Sequence, residues 1–406
     1  MINPEGSLRS FRHRNFRILF PANAASNIGT WAQRVAQDWL VLQLTHSGKD
    51  LGLVTGLQFL PALLLSLYGG RLADRFNKRI LLYITNLGGG AVALLMGILV
   101  MTDTVRIWHV YVLAFILGIF TAIDAPIRQS FTSEMVGKSD LANAVSLNSA
   151  NFNAGRLIGP GVSGLLIAWF GTGPSFIINA FSYIAVVIAL MAIRDEELHI
   201  EAAPQVDAKI REAWAYVRKR TDIFAVMITV FFAATFGLNF QVFTALMATA
   251  IFHKGPASYG SLGSIVAIGS LSGALLSAKL DTRRSPRFII AFALMFGASV
   301  ALTAVAPSYF TYMLTLPIAG ALGLTTMIAA NSYVQTKTHA ALRGRVMGIY
   351  LTIFLGGTPL GSPLIGWLAE TIGTRQTIFL CGVVTMTASA LIYAVARKKL
   401  FASNKN

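Results

Sequence analysis

The sequence predicts an all-α membrane protein whose twelve transmembrane helices form two pseudo-symmetric six-helix bundles, with both termini in the cytoplasm. Composition, apolar segments and the distribution of positive charge support this prediction. Of 406 residues, 55% are hydrophobic and 12% are charged, whereas soluble domains have roughly 45–50% and about 25%. The mean hydropathy is +0.63. This composition excludes a soluble enzyme, a disordered chain and a coiled coil.

Twelve segments contain the run of about 20 mostly apolar residues that a transmembrane helix needs. They are 17–44, 51–72, 80–100, 108–127, 142–169, 175–193, 223–251, 259–279, 288–306, 309–330, 345–368 and 376–396. The longest polar break predicts an N-terminal bundle at 1–193, a cytoplasmic linker at 194–222 and a C-terminal bundle at 223–406. The second part of this linker mixes apolar and charged residues, which is typical of a helix on the membrane surface or of a plain linker.

The distribution of Lys and Arg predicts the orientation. With a cytoplasmic N-terminus, 27 of the 33 basic residues fall on the cytoplasmic side, four on the opposite side and two, Arg34 and Arg156, inside spans. Positive residues gather on the cytoplasmic side of membrane proteins. The net charge of +16 therefore needs no nucleic acid partner, and we expect an integral protein of a bacterial inner membrane.

The two sets of six spans resemble each other. The first span is followed by His46-Ser47-Gly48 and the seventh by His253-Lys254-Gly255, while 166–169 and 364–367 read LIAW and LIGW at the ends of the fifth and eleventh spans. An even number of spans in each repeat makes the repeats parallel. Such architectures place a substrate site near the midplane between the halves and work by rocking one half against the other.

Residues 70–79, GRLADRFNKR, resemble the signature loop of the major facilitator superfamily, which follows the second span. The resemblance implies a cytoplasmic gate that latches the outward-open state. An ordinary positively charged loop is the alternative. Lys78 or Arg79 could pair with Asp124, and the implied position of Asp74 is near Arg345. The predicted gate comprises Gly70, Asp74, Arg75, Lys78, Arg79, Asp124 and Arg345.

Residues 155–164, GRLIGPGVSG, resemble the antiporter motif of drug exporters in this superfamily. Glycines four residues apart create a smooth helix face, and a proline bends the helix. The resemblance implies an export-type kink formed by Gly155, Gly159, Pro160 and Gly164, with ordinary small-residue packing as the alternative. Residues 11–17 and 342–348, FRHRNFR and LRGRVMG, are similar to the transmembrane secretion effector branch, which includes the enterobactin exporter.

Span one carries a polar stripe at helical spacing. Ionised groups inside a bilayer cost about 2.5–3.5 kcal/mol on insertion scales and indicate function. We interpret Asp38 as a proton-coupling carboxylate; a permanent ion pair or a gate are the alternatives. The predicted coupling and cavity residues are Arg34, Asp38, Gln37, Asn27, Thr30 and Arg156.

A second set of residues predicts the substrate cavity. Its phenylalanines follow helical spacing on span seven, which suits a bulky, partly apolar ligand; lipid contact or helix packing is the alternative. The set comprises Asn148, Asn151, Phe232, Phe236, Asn239, Phe240, Gln241 and Phe243. The sequence shows neither a phosphate-binding loop nor metal-ligand spacing of its histidines, so we expect no cofactor and no metal.

Together these observations predict a monomeric secondary transporter that exports a small amphipathic molecule, drug-like or a siderophore, in exchange for protons, with lipid as its surroundings. An uncoupled facilitator or importer of the same fold is one alternative. A membrane receptor or lipid scramblase is another. We do not expect an enzyme, because no nucleophile–base pair is evident.

Overall fold

The computed structural model describes residues 6–200, 210–280, 284–339 and 342–402, without the side chains of 66–74, 210 and 397–402. The described chain is almost entirely helical. Its α-helices are α1 (Arg14–Thr45), α2 (Gly48–Arg75), α3 (Lys78–Met101), α4 (Ile107–Phe170), α5 (Gly173–Met191), α6 (Ile210–Lys219), α7 (Thr221–Phe232), α8 (Phe240–Leu246), α9 (Pro256–Lys279), α10 (Pro286–Ala304), α11 (Tyr309–Lys337), α12 (Arg343–Thr371) and α13 (Thr374–Ala402). Short 3₁₀ turns at Arg9–Arg12 and Asp195–Glu197 and π-helical turns at Ala233–Gly237 and Met247–Ile251 complete it.

The prediction of an all-helical chain with many apolar helices is confirmed. Among the described residues, nine helices are long and apolar enough to cross a membrane, counting Thr221–Ile251 as one. Helix α4 is one of the nine and contains two predicted spans, 108–127 and 142–169. Helix α1 is not among them, because the polar stripe that the sequence shows between residues 23 and 38 lowers its hydropathy.

A break inside α4 separates its two predicted spans. Gly137 has φ +67° and ψ 177°, a combination that only glycine adopts without strain. A Cβ at this position would also lie 3.2 Å from the His199 ring. The chain therefore turns sharply at Gly137 while helix continues on both sides.

The chain divides into two compact units. Unit 1 contains Met1–His46, Leu60–Gln205 and Pro256–Ser264, and unit 2 contains Ser47–Phe59, Val206–Gly255 and Ile265–Asn406. The first part of α9 thus belongs to unit 1 and the first part of α2 to unit 2. The units differ in this way from the contiguous bundles 1–193 and 223–406, which stay a prediction.

Unit 1 is built around α1, which packs against α4 and α5, while α3 packs against the same two helices. Its core is apolar and contains Phe16, Phe131 and Leu190, all about 1% exposed or less. Glycines allow the helices to approach closely. A Cβ on Gly155 would lie 2.9 Å from Asn27 Cβ, and one on Gly159 would lie 2.6 Å from Trp31 Cβ.

The first part of α9, which belongs to unit 1, also packs closely against α4 at glycine residues. A Cβ on Gly164 of α4 would lie 2.8 Å from the Pro256 carbonyl oxygen, and one on Gly260 would lie 2.9 Å from Gly164 Cα. Ser264 Oγ donates a hydrogen bond to the Leu157 carbonyl, at 2.6 Å. The motif at 155–164 therefore lies where α4 contacts both α1 and the start of α9. Its role in export stays a prediction.

Unit 2 contains a comparable contact between α2 and α12. A Cβ on Gly366 would lie 3.1 Å from Gly52 Cα, and the Lys49 amide donates to Glu370 Oε1 at 3.0 Å. The repeated histidines before α2 and α9 share an uncommon backbone conformation, with φ +50° at His46 and +49° at His253. Within unit 2, α10 packs against α11 and α13, and α7 packs against α13.

The linker contains the helix α6, which packs on α12 and α7. Ala213 and Val217 are buried, and Arg345 Nη1 lies 3.0 Å from Glu212 Oε2. The expectation of a helix in the second part of the linker matches α6. Its location at a membrane surface stays a prediction.

The N-terminal turn is attached to α4 through Asp140, which lies between the two predicted spans of that helix. Arg9 Nε, Arg12 Nη2 and His13 Nε2 lie 3.2, 2.8 and 2.7 Å from its carboxylate oxygens. Burial opposes ionisation, but the His13 hydrogen bond and the Arg12 charge outweigh it and lower the pKa of Asp140. The charged carboxylate therefore stabilises this contact above about pH 4, and the stabilisation is lost as pH falls through the lowered pKa.

We expect Asp140→Asn to loosen the N-terminal turn at neutral pH, because the substitution removes the charge that binds three basic side chains. Arg9 and Arg12 are partly exposed, so the loss is about 1 kcal/mol, or roughly fivefold faster amide exchange at residues 9–13. Hydrogen–deuterium exchange at pH 7 measures this. Asp103→Asn is the control, since Asp103 is exposed at φ +55°, where Asn is equally tolerated. Equal exchange in both variants would contradict the account.

We expect Gly159→Ala to lower the thermal midpoint, because its Cβ would overlap Trp31 Cβ and lie 2.8 Å from the Ile28 carbonyl oxygen. Overpacking of this kind costs about 1–3 kcal/mol. Gly255→Ala is the control, because a Cβ there meets nothing within 4 Å. Thermal unfolding of the purified variants compares them, and an unchanged midpoint for Gly159→Ala would disprove the close helix approach.

Candidate functional site

A polar cavity of about 480 Å³ lies inside unit 1, between α1, α3, α4 and α5. Helix α1 lines it with residues from its polar stripe, which recur every three or four positions and so share a face. The polar and ionisable lining residues include Asn23, Asn27, Thr30, Arg34, Thr85, Asp124, Arg128, Gln129, Asn148, Asn151 and Tyr183. Aromatic rings of Trp31, Phe120 and Phe152 complete the wall. The cavity thus combines ionised groups with flat apolar surfaces.

An ion pair on α4 is the main electrostatic feature of this cavity. Arg128 Nε lies 2.7 Å from Asp124 Oδ2, and Arg128 Nη2 lies 3.0 Å from Oδ1. The two residues are one helical turn apart, which brings their side chains together. Two parallel hydrogen bonds of this type are among the strongest that proteins form. The pair therefore neutralises both charges inside the bundle.

Neighbouring helices satisfy the remaining hydrogen-bonding groups of the pair. Thr85 Oγ1 and Asn86 Nδ2 of α3 donate to Asp124 Oδ1 at 2.7 and 3.2 Å. Arg128 donates to the side-chain oxygens of Asn23 on α1 and Asn86 on α3. The network thus connects three helices around one partly buried ion pair, and loss of either charge would leave the other uncompensated.

Two cations lie near the ring of Trp31, which lines the cavity; Arg34 also lines it, whereas Arg156, predicted as a cavity residue, does not. The Arg34 guanidinium lies 4.6 Å from the indole centroid and the Arg156 guanidinium lies 5.9 Å from it. Both distances are within the range of cation–π attraction. Phe152 meets the same indole edge-on, with the ring centroids 5.8 Å apart. Two positive charges therefore share one aromatic surface.

Asp38 lies one turn beyond Arg34 on α1 and is fully buried. Tyr259 Oη, from the segment of α9 that belongs to unit 1, donates to Asp38 Oδ2 at 2.6 Å. The ring of Tyr259 stacks near Trp39, with centroids 6.3 Å apart. Asp38 does not line the described cavity, nor does Gln37, which is also buried. The predicted stripe is thus divided between the cavity and the contact with α9.

The residues of the predicted gate have separate partners. Lys78 Nζ lies 2.6 Å from Glu134 Oε1, and Arg79 Nη1 lies 2.7 Å from Asp195 Oδ1. Asp124 was the expected partner of these cations, but it instead pairs with Arg128 in the cavity. Asp124 and Glu134 are nearly three turns apart on α4, and the carboxylate that Lys78 reaches is that of Glu134. Arg345 contacts Glu212, and Arg75 is exposed. Gly70 and Asp74 belong to the segment 66–74, whose side chains are outside the described residues.

The predicted substrate residues separate between the units. Asn148 and Asn151 line the cavity of unit 1. In unit 2, Phe240 and Phe243 are buried, and the Phe240 ring lies 6.1 Å from that of Phe296. These two side chains therefore contribute to helix packing in unit 2, which was the alternative for the phenylalanine stripe.

The remaining members of the set are also in unit 2. Asn239 is buried and accepts a hydrogen bond from Ser362 Oγ at 2.7 Å. Phe232 and Phe236 stack at 6.2 Å and are partly exposed, as is Gln241.

Sequence reasoning missed Arg128, which was counted as a loop cation. The signal that identifies it is its spacing from Asp124, a carboxylate and a guanidinium four residues apart at the end of an apolar span.

We expect removal of one member of the Asp124–Arg128 pair to destabilise the protein more than removal of both. Arg128→Gln leaves the partly buried Asp124 carboxylate without its cation, which costs about 1–3 kcal/mol, whereas Asp124→Asn with Arg128→Gln leaves no unpaired charge. Thermal unfolding of the single and double variants measures this coupling.

The Arg194–Glu197 pair is the control, because its side chains are 59% and 37% exposed and exposed pairs contribute at most about 1 kcal/mol. If Arg128→Gln is no more destabilising than Arg194→Gln, or if the double variant is the least stable of the three, the Asp124–Arg128 pair does not hold this part of the fold together.

Comparisons with known proteins agree with the architecture. Residues 5–405 match the model of the family described as transmembrane secretion effector. The chain is 24% identical over 373 residues to the staphyloferrin A transporter of Staphylococcus aureus, covering 91% of this chain and 94% of that protein. It is 28% identical to the multidrug efflux pump Tap of Mycolicibacterium fortuitum, covering 89% and 90%.

A solved structure supports the fold alone. A bacterial homologue of the human lysosomal transporter Spinster, in an inward-facing and unoccupied conformation, has a TM-score of 0.77 at 15% identity. The similarity covers 95% of this chain and 97% of that one.

Proposed function

Because the chain belongs to the transmembrane secretion effector family of major facilitator superfamily transporters, we propose that it is a proton-coupled exporter of a small amphipathic molecule. It is an integral multi-pass membrane protein and not an enzyme. In this proposal it works by alternating access in a bacterial inner membrane. Two six-helix halves, a monomeric state and cytoplasmic termini belong to the same proposal.

The polar cavity of unit 1 is the observation that supports transport most strongly. Ionised residues within apolar helices are costly and mark substrate or ion pathways, and here Asp124, Arg128 and Arg34 line one cavity of about 480 Å³. That volume is in the range of sites for small molecules. The aromatic wall suits a ligand with a flat apolar part. The names of the two relatives suggest a siderophore or a drug-like compound as cargo.

Asp38 is the coupling carboxylate in this proposal. Its hydrogen bond from Tyr259 joins α1 to the start of α9 inside unit 1, so protonation of Asp38 would weaken the acceptor and release that contact. The movement of one charge through the membrane potential supplies about 2.3 kcal/mol per 100 mV, which is enough to shift such an equilibrium severalfold. Arg34 and Arg156 respond to the change in this scheme. Asp124 is less suited to coupling because both of its carboxylate oxygens already accept hydrogen bonds from Arg128.

The gate and the kink complete the scheme as proposals. Residues 70–79 with Arg345 would close the cytoplasmic side, and the glycines of 155–164 would let α4 slide against α1. The ion pairs of Lys78 with Glu134 and of Arg79 with Asp195 support a role of the first turn of α3 in fixing this region. Close packing at Gly159 and Gly164 supports a sliding surface on α4.

We expect Asp38→Asn to abolish export driven by a pH gradient while substrate exchange continues, because the neutral amide cannot carry a proton. Proteoliposomes loaded with a fluorescent drug such as ethidium, or with another cargo identified from accumulation assays, measure both activities. Asp103→Asn is the matched control and Asp124→Asn tests the second carboxylate.

Full proton-driven export by Asp38→Asn would refute its coupling role. Flux that an uncoupler does not change would favour a facilitator, receptor or scramblase over an exporter.

A further inference from the structure

We propose that the outer face of helix α6 binds the phosphate groups of anionic phospholipids, with the Trp214 ring at the boundary between headgroups and acyl chains. Lipid binding of this kind goes beyond the proposed function and depends on neither its cargo nor its proton coupling. Four properties of α6 support it: its exposed face, its fixed orientation, its position directly before α7, and the charge around it.

Helix α6 has one face buried in unit 2 and another face exposed. Ala213 and Val217 are buried, and the helix packs on α12 and α7. Arg211, Trp214 and Arg218 are exposed and recur at intervals of three and four residues, so they share a second face. The outer face therefore presents an indole ring between two guanidinium groups.

Ion pairs at both ends of α6 hold the helix in a fixed orientation. Arg220, which follows its last residue, donates to the two carboxylate oxygens of Asp222 at 2.9 and 2.7 Å. Tyr333 of α11 donates to the same carboxylate at 2.9 Å. Near the start of α6, Arg345 of α12 lies 3.0 Å from Glu212. The outer face thus belongs to a helix that is attached to three others in unit 2.

The position of α6 in the chain brings its outer face close to the lipid headgroups. The helix ends at Lys219, and α7 begins at Thr221, so only Arg220 separates them. The segment Thr221–Ile251 is long and apolar enough to cross a membrane. One residue spans at most about 3.5 Å. The last turn of α6 therefore lies near the level at which α7 enters the membrane.

The surroundings of α6 carry an excess of positive charge. Residues 210–222, with the end of α11 and the start of α12 at 337–345, contain seven basic and two acidic side chains. Both acidic side chains, Glu212 and Asp222, contact an arginine. Basic residues next to a membrane attract anionic lipid, and the planar guanidinium group matches phosphate oxygens. The exposed basic residues of these segments are Arg211, Arg218, Lys219, Lys337 and Arg343.

The exposed indole favours a lipid headgroup over a soluble anion. Trp214 is 43% exposed, although it lies on the same face as two arginines. A soluble phosphate would bind the arginines and leave the ring in water. Tryptophan is enriched at membrane interfaces, because one part of its ring is apolar and its N–H is polar. A membrane interface therefore suits both components of this face, and an acidic protein surface is the competing partner.

Quenching of Trp214 fluorescence by brominated lipid tests this proposal. The full chain is placed in nanodiscs of phosphatidylcholine and phosphatidylglycerol, in which the same mole fraction of either lipid carries bromine on its acyl chains. The signal lost in Trp214→Phe separates this residue from the other tryptophans. We expect brominated phosphatidylglycerol to quench Trp214 at least about twofold more strongly, because basic residues concentrate anionic lipid. The preference should decrease at 1 M salt, where the screening length is about 3 Å.

Arg211→Gln with Arg218→Gln should remove the preference while quenching by the lipid as a whole continues. Arg17→Gln with Lys279→Gln is the matched control, because it removes two exposed cations outside α6 and should retain the preference. Equal quenching by the two lipids in the unaltered chain, or an unchanged preference without the two α6 arginines, would overturn the proposal.

Two further outcomes would assign the face to another partner and overturn lipid binding. Quenching of Trp214 by aqueous iodide but by neither brominated lipid would indicate a face directed into water, as a soluble protein partner requires. Loss of the preference in inorganic phosphate, but not in chloride of equal ionic strength, would indicate a site for a free anion. Neither export nor a proton gradient enters these measurements, so their failure would leave the proposed function intact.

Discussion

Ionised side chains inside an apolar helix bundle need polar partners on every side, and this constraint determines the arrangement of unit 1. Asp124 and Arg128 pair on α4, but their remaining donors and acceptors are satisfied by Asn23 of α1 and Thr85 and Asn86 of α3. These contacts fix the rotation of three helices about their axes. The polar faces of α1 and α4 are thereby directed toward a common cavity rather than toward lipid.

Close approach of the backbones is the second requirement for this cavity. Polar side chains from different helices reach each other only when the helix axes are near, and glycines at 155, 159 and 164 remove the side chains that would separate α1, α4 and the start of α9. The hydrogen bond of Tyr259 with Asp38 depends on the same contact. The motif at 155–164 and the polar stripe of α1 are therefore two parts of one structure.

Hydropathy alone predicts most of the helices, because each span must be long and apolar regardless of its neighbours. The stripe on α1 was also predictable, since helical spacing determines which of its residues share a face. The partner of Asp38 could not be predicted, because Tyr259 is more than 200 positions away. No local sequence pattern indicates that the first part of α9 belongs to unit 1. The stripe on α7 and α8 shows a further limit. Phe240 and Phe243 have the same spacing as cavity residues, but both are buried, and the contact of Phe240 with Phe296 depends on a neighbouring helix that spacing does not reveal.

The most direct test of the account is whether water reaches the proposed cavity. Replacement of the one cysteine, Cys381, by serine gives a background in which Ser149→Cys reports on the cavity lining and Leu94→Cys reports on an exposed apolar position of α3. A charged, membrane-impermeant thiosulfonate reagent applied to the protein in nanodiscs should modify the cysteine at 149 and leave the cysteine at 94 unmodified. Modification at 94 but not at 149, or equal protection of both, would contradict a water-filled ionised cavity in unit 1.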